Sequence, residues 1–249
     1  MYGRAGVVAA AAVLGSASLF ASFGPAVPTA TRTPLRTVLL GRSIEGRPID
    51  AYEVGDPQSS RRELVVGCIH GDETAGIAVA RRLERLAPAG VDLWIVPVLN
   101  PDGAAADRRG NAHGVDLNRN FPWHWGRLGG EFYSGPRPLS EPESKIAYRL
   151  IRRLRPQVSI WFHQSLDVVD RSGGNPIVER RFAALVGLRV RRLSREPGSV
   201  VGWQNHTFPG STAFVVELPA GRLSAAAVGR LARAAIGVGR VPTDRRRRF

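Results

Sequence analysis

Several residue types are nearly missing from this chain. Its 249 residues include one cysteine, Cys68, and one lysine, Lys145. A single cysteine rules out an internal disulfide, and a chain this long can bury a core without one. Cys68 lies in the apolar run Leu64-Val65-Val66-Gly67-Cys68-Ile69 and reads as a small buried residue. So sparing a use of thiols suits an exported protein. Because lysine is almost absent, the formal charge of +14 is carried by arginine. Arginine in excess beside abundant Ala, Gly and Val suggests a GC-rich genome, so codon usage accounts for part of the basicity. The remainder suits an anionic neighbour such as a cell wall or membrane surface. No nucleic-acid motif is present and the arginines are scattered rather than interleaved with aromatics, so nucleic acid is not the expected partner. No internal repeat and no long low-complexity linker divides the chain, which reads as one domain and a monomer.

Both ends differ from the middle. Arg4 precedes Ala5 to Ala21, an uncharged run of small and apolar residues, and Gly24 and Ala26 follow at a small-x-small spacing. Residues 1–30 therefore read as a cleaved signal peptide, with an uncleaved outward-facing anchor as the alternative. No stable membrane span is expected after processing. Residues 31–240 form the expected domain and 241–249 a basic tail, with Arg245-Arg246-Arg247-Arg248 solvated or tethered to a surface.

The middle alternates strand and helix signals. A hairpin is expected from Thr37–Leu40 and Ile49–Val54. Leu64–Ile69 and Leu93–Leu99 read as strands buried on both faces, with Thr74–Leu86 helical between them. Asn100-Pro101-Asp102-Gly103 is a strong turn signal. Residues 100–140, rich in Gly, Pro and Asn and holding Trp123 and Trp125, read as a long functional loop. Ser140 and Glu143 form a capping box for a helix over Glu141–Leu154. Val158–Phe162 is a strand, 164–175 a Gly-rich loop, Ile177–Val190 a helix and Arg191–Phe208 largely loop. Thr212–Leu218 is a strand and Ser224–Ile236 a closing helix. The alternation predicts an α/β domain with a mixed, mostly parallel sheet covered by helices on both faces.

In such sheets the site lies beyond the carboxyl ends of the strands. The residues found there are His70-Gly71-Asp72-Glu73, His163-Gln164 and Glu217. Two histidines and one glutamate are the ligand set of a catalytic zinc that keeps one open position. His70 and Glu73 are separated by two residues across a strand-to-helix turn, with Gly71 permitting the bend. Either His-x-x-Glu or a lone histidine would be weak evidence alone; their shared position at strand ends is what counts. Glu217 sits in an apolar run, where a carboxylate must face a cavity or a cation. It is the candidate general base. Within 109–122, Asn118 and Arg119 suit a carboxylate clamp, and Arg109 suits polarising a carbonyl.

The ordered set Gly114-Val115-Asp116-Leu117-Asn118-Arg119-Asn120-Phe121-Pro122, His70-x-x-Glu73, His163 and Val215-Val216-Glu217-Leu218 resembles the zinc carboxypeptidase family over residues 36 to 236. The short length and the Gly-Asp-Glu after His70 are similar to its murein tripeptide amidase branch, which cuts the γ-D-glutamyl–diaminopimelate bond. The resemblance implies one zinc ion at His70, Glu73 and His163 and zinc-activated water with Glu217 as base. It also implies carbonyl polarisation by Arg109 and carboxylate binding by Asn118 and Arg119. Asp72 stands where classical members carry arginine, free to pair with Arg119 or a substrate amine. No tyrosine follows Tyr148; Trp203, Gln204, Asn205 and His206 occupy the loop that carries the family's mobile tyrosine, which makes His206 a candidate substrate contact. Asp170, in the loop Asp167–Asn175, is a candidate reader of a diaminopimelate head group. The expected activity is hydrolysis of an amide beside a free carboxylate, in murein peptides, outside the cytoplasm. The alternatives are a carboxypeptidase on ordinary peptides and a non-catalytic wall-binding module.

Overall fold

The structure, a computed structural model, describes residues 1–3, 36–194 and 196–239. Nearly all of the N-terminal targeting segment and the whole arginine tail lie outside the described residues. Among the described residues no helix is long and apolar enough to cross a membrane.

The sheet has eight strands: β1 (Arg36–Arg42), β2 (Pro48–Gly55), β3 (Arg62–Val66), β4 (Asp92–Val96), β5 (Val158–Gln164), β6 (Val168–Asp170), β7 (Arg189–Arg191) and β8 (Thr212–Leu218). Their spatial order is β1-β2-β4-β3-β5-β8-β6-β7. The central β4, β3, β5 and β8 run parallel, and the outer hairpin and β6 join them antiparallel. The central runs are continuously apolar because helices cover both faces. On one face pack α1 (Ala75–Leu83), α4 (Pro176–Val186) and α6 (Ala225–Val238), around Val79, Phe162, Phe182 and Phe214. On the other pack α3 (Pro142–Leu154) and α5 (Val200–Thr207), around Ile151, Trp161 and Trp203. Phe162 is fully buried, and truncating such a ring to alanine costs roughly 3–5 kcal/mol.

Several expected elements differ. Asn100 does not open a plain turn. Its side chain accepts from the Gly103 amide and caps a short helix, α2 (Pro101–Ala106), with Pro101 in the first turn where no amide hydrogen is needed. The capping box at Ser140 does not form. Glu141 occupies the cap position of α3 without a side-chain bond to the helix, and Glu143 turns inward to accept from Asn111 and the Ile44 amide. Residues 164–175 contain β6, and the end of the expected 177–190 helix is instead β7. The region 191–208 contains α5, capped by Ser199, whose side chain accepts from the Gly202 amide. The long 100–140 segment holds two 3₁₀ turns, Leu117–Arg119 and Gly130–Phe132.

Candidate metal and catalytic site

Each site residue stands where a central strand ends. His70 lies in the turn after β3, and Glu73 directly precedes Thr74, the cap residue of α1. Gly71 is needed for close approach rather than for a bend: a Cβ there would run into the Gly103 and Ala104 backbone of α2. That contact docks the His70–Glu73 arc onto the neighbouring loop. His163 and Glu217 are register partners on parallel β5 and β8. Strand alternation gives them the face occupied by Trp161 and Val215.

Three side chains converge. His70 Nδ1 lies 2.9 Å from Glu73 Oε1, and His163 Nδ1 lies 2.8 Å from Glu73 Oε2. The two Nδ1 atoms are 3.1 Å apart. All the ligand atoms fall within 4.8 Å of one another. Imidazole nitrogens and a carboxylate facing one point are the donor set that zinc prefers. His70 Nε2 is engaged 2.9 Å from Asp116 Oδ1, a carboxylate contact that fixes the ring and leaves Nδ1 to face the cluster. Burial opposes ionisation throughout, yet His163 and His70 hold the Glu73 carboxyl well below its ordinary value. Burial likewise disfavours charge on His70, but Asp116 and Glu73 raise it to about 8. Against the same burial, His70, Arg109 and Arg119 hold Asp116 low.

Asp116 organises this centre, and sequence reasoning gave it no role. Besides His70 it receives Arg109 through Nε at 3.0 Å and Nη2 at 2.8 Å. Its side chain also accepts the Asn118 amide. The available signal was its place two residues before the Asn118-Arg119 pair. Arg109 reaches on to Glu73 Oε1 at 3.1 Å.

His70, Glu73, His163 and Arg109 line one cavity of about 460 Å³, together with Asn118, Arg119, Phe132, Gln164, Asp170, Glu196 and Glu217, while Asp116 stands behind them. Arg119 is buried and lies 3.8 Å from both Asp116 and Glu196; its Nε has no hydrogen-bond partner. Burial lowers its pKa against the opposing pull of Asp116 and Glu196, and the neighbouring Arg109 adds to the lowering. Asn118 Oδ1 accepts from the Val200 amide, so its amide nitrogen is the group left to donate. Phe132 covers both guanidinium groups, each 5.3 Å from its ring centroid. Glu217 is pushed up mainly by burial, and its Oε2 is buried without a partner. A carboxyl shifted this way holds and returns a proton near neutral pH more readily than an exposed one.

Three expectations about single residues are corrected or sharpened. His206 is exposed near the end of α5, stacked on Trp123 at 5.3 Å, and does not line the cavity. The helical turn of α5 directs it outward. Asp72 is exposed and makes no ion pair with Arg119, which turns toward Asp116 and Glu196. Asp170 does line the cavity; it is 7% exposed and accepts from Ser172 Oγ at 2.7 Å and the Leu193 amide at 2.9 Å.

A two-histidine, one-carboxylate cluster with a buried free carboxyl beside it defines the site of a single-zinc hydrolase. Residues 28–170 match the model of the zinc carboxypeptidase family. The chain belongs to that family, and is a zinc metallopeptidase. It is 33% identical over 187 residues to murein peptide amidase A of Escherichia coli K12, covering 68% of this chain and 76% of that protein. The crystal structure of the murein-tripeptide amidase of Escherichia coli O157 superimposes with a TM-score of 0.71 at 25% identity, covering 86% of this chain and 96% of that one. Carboxypeptidase A of Helicoverpa armigera shares the fold, with a TM-score of 0.68 at 19% identity over 83% of this chain and 68% of that one.

Proposed function

We propose that the chain is an exported amidase of cell-wall peptides. It would cut the bond that joins a γ-D-glutamyl group to a diaminopimelate residue bearing a free carboxylate. The observation that carries this reading is the charge layout of the cavity. Arg109 and Arg119 line it, and so does the buried carboxylate of Asp170, which has no cation within ion-pair distance among the described residues. A buried carboxylate without a counter-ion favours a ligand that brings one. A diamino acid with a free carboxylate supplies both charges. The similarity to murein peptide amidases supports the same substrate class. The uncharged run after Arg4 supports export.

His70, Glu73 and His163 would hold the zinc, which supplies Lewis acidity to water and to the scissile carbonyl. Asn118 and Arg119 bind the substrate carboxylate and set its orientation. Arg109, fixed by Asp116, donates toward the carbonyl oxygen as negative charge develops. Glu217 takes a proton from the attacking water at its Oε2 and returns it to the leaving amine, so the carboxylate is restored and one amide bond has been replaced by an acid and an amine.

Metal content measured together with diaminopimelate release from L-Ala-γ-D-Glu-diaminopimelate, with and without a chelator, tests this reading. One zinc per chain with chelator-sensitive release is expected. Zinc without release would redirect the assignment to ordinary peptides, and a chain that binds no zinc would overturn it.

A further inference from the structure

Away from the cavity, two grooves run along either side of α6. One, against α4, is lined by Arg181, Leu185, Arg230, Arg233, Ala234 and Gly237. The other is lined by Arg82 of α1 and by Ala225, Ala226, Val228, Gly229, Arg230 and Arg233 of α6. Arg230 and Arg233 belong to both and form the ridge between them. Neither groove shares a residue with the catalytic cavity.

The charge here is one-sided. No acidic side chain lines either groove, and α6 contains none from Ala225 to Val238. The acids on the flanking helices are occupied or withdrawn: Glu84 pairs with Arg81 at 2.9 Å, and Glu179 is buried. Arg82, Arg181, Arg230 and Arg233 are exposed and form no ion pair among the described residues. Four guanidinium groups gathered without counter-ions repel one another, a cost that a bound polyanion removes. The floor points the same way. Gly229 is interior to α6, where glycine is less stable than alanine, and Gly237 lies in its last turn. Their missing side chains keep both grooves open, and Arg233 lies directly over Gly229. In sequence, α6 leads on to Arg240 and Arg245-Arg246-Arg247-Arg248.

We infer that the two grooves beside α6 bind a linear phosphate-bearing polymer of the cell envelope, holding the enzyme at the wall while the cavity works on peptides. Guanidinium forks pair with phosphate oxygens in two-point contacts. A nucleic-acid strand fits less well, because neither groove offers an aromatic ring for a base to stack on.

The test uses the full chain and poly(glycerol phosphate), with binding followed from about 50 to 200 mM salt. Wild type is expected to bind with a steep salt dependence. Arg230→Gln with Arg233→Gln should weaken binding roughly tenfold at low salt and flatten the salt slope by about 1 to 2. Hydrolysis of a small soluble peptide should not change. Gly237→Leu, which fills the floor without altering charge, should weaken binding as well. Arg149→Gln, an exposed arginine on α3, serves as the charge control and should leave binding intact. Absence of binding by wild type, equal binding by the double variant, or an equal loss in Arg149→Gln overturns the site. Tighter binding of a single-stranded oligonucleotide or of anionic vesicles at equal charge overturns the choice of partner. Because peptide hydrolysis is read separately, failure here leaves the catalytic assignment standing.

Discussion

Two groups of buried carboxylates meet the segment between α2 and α3, and burial leaves them in different states. Glu73 and Asp116 face His70, His163, Arg109 and Arg119, and these partners overcome the cost of burial and hold both carboxyls well below their ordinary values. Glu141 and Glu143 face mostly neutral donors. Asn111 Nδ2 donates to both, at 2.9 and 3.1 Å, and Ser140 and the Ile44 amide complete the set, with His113 at the edge. Burial pushes Glu143 up; at Glu141 the hydrogen bonds from Ser140, Asn111 and His113 outweigh burial and bring it down. The first group lies against the cavity, which Glu73 and the Arg109 held by Asp116 both line. The second closes on itself and fastens α3 to the loop at 111–115. Acidic burial alone therefore does not mark a site; what distinguishes the first group is cationic partners arranged around open space.

The comparison is broken most decisively at Glu217, a carboxyl of the cavity whose buried Oε2 has no partner. Glu217→Gln is expected to keep zinc, measured by metal analysis, while turnover falls by about 10²–10⁴-fold. Normal turnover in that variant would remove Glu217 from the reaction. Next in size is Asp116→Asn. It loosens His70 and Arg109 together, so zinc affinity in a chelator competition should fall roughly 10–100-fold. Unchanged affinity would mean that His70 is oriented by packing alone. Arg119→Ala should follow, raising KM for substrates with a free carboxylate roughly tenfold or more and that for their amides far less. Equal losses on both would remove the clamp.

The ligand set was legible because His163 ends an apolar strand and His70 and Glu73 lie in the short turn that follows another, where a charged residue has few other uses. Glu217 was legible for the same reason, inside Phe214-Val215-Val216 and Leu218. Asp116 was not, since it stands in a polar run where periodicity says nothing about which carboxylate turns inward; its burial is decided by a tertiary bond to His70. Helix α5 was hidden by Val200, Val201, Gly202 and Thr207, all weak helix formers. It forms because Ser199 caps it and Trp203 buries its face among Phe121, Tyr148 and Phe208. With α5 in place His206 points to solvent, so one unseen helix moved one expected contact. At Ser140 a local rule lost to a distant partner: Glu143 found Asn111, 32 residues away, and the capping box never closed.

On the structural side, Asn111→Ala removes donors from two buried carboxylates and the acceptor for the His113 and Val115 amides. A stability loss of roughly 1–3 kcal/mol is expected in denaturant titration, with zinc affinity nearly unchanged. A loss of zinc comparable to that of Asp116→Asn would mean that the two groups act as one.

The smallest effect is the most specific to the contrast. Burial raises the Glu143 carboxyl above its ordinary value, so over the interval between the two the native state binds more proton than the unfolded chain. Stability from this group therefore falls as pH rises through that interval and is lost once the pH passes the raised value. Glu141 behaves in the opposite sense, because its lowered value stabilises the native state above the ordinary carboxyl range and the gain fades on acidification. Glu143→Gln keeps a carbonyl oxygen for the Ile44 amide but has nothing to titrate. Its stability above about pH 4.5 should decline less with rising pH than that of wild type, and the difference between the two curves should carry the sign of a raised carboxyl. A difference of the opposite sign would place Glu143 with Glu73 and Asp116, as a carboxylate held ionised by its partners, and would erase the distinction between the two groups.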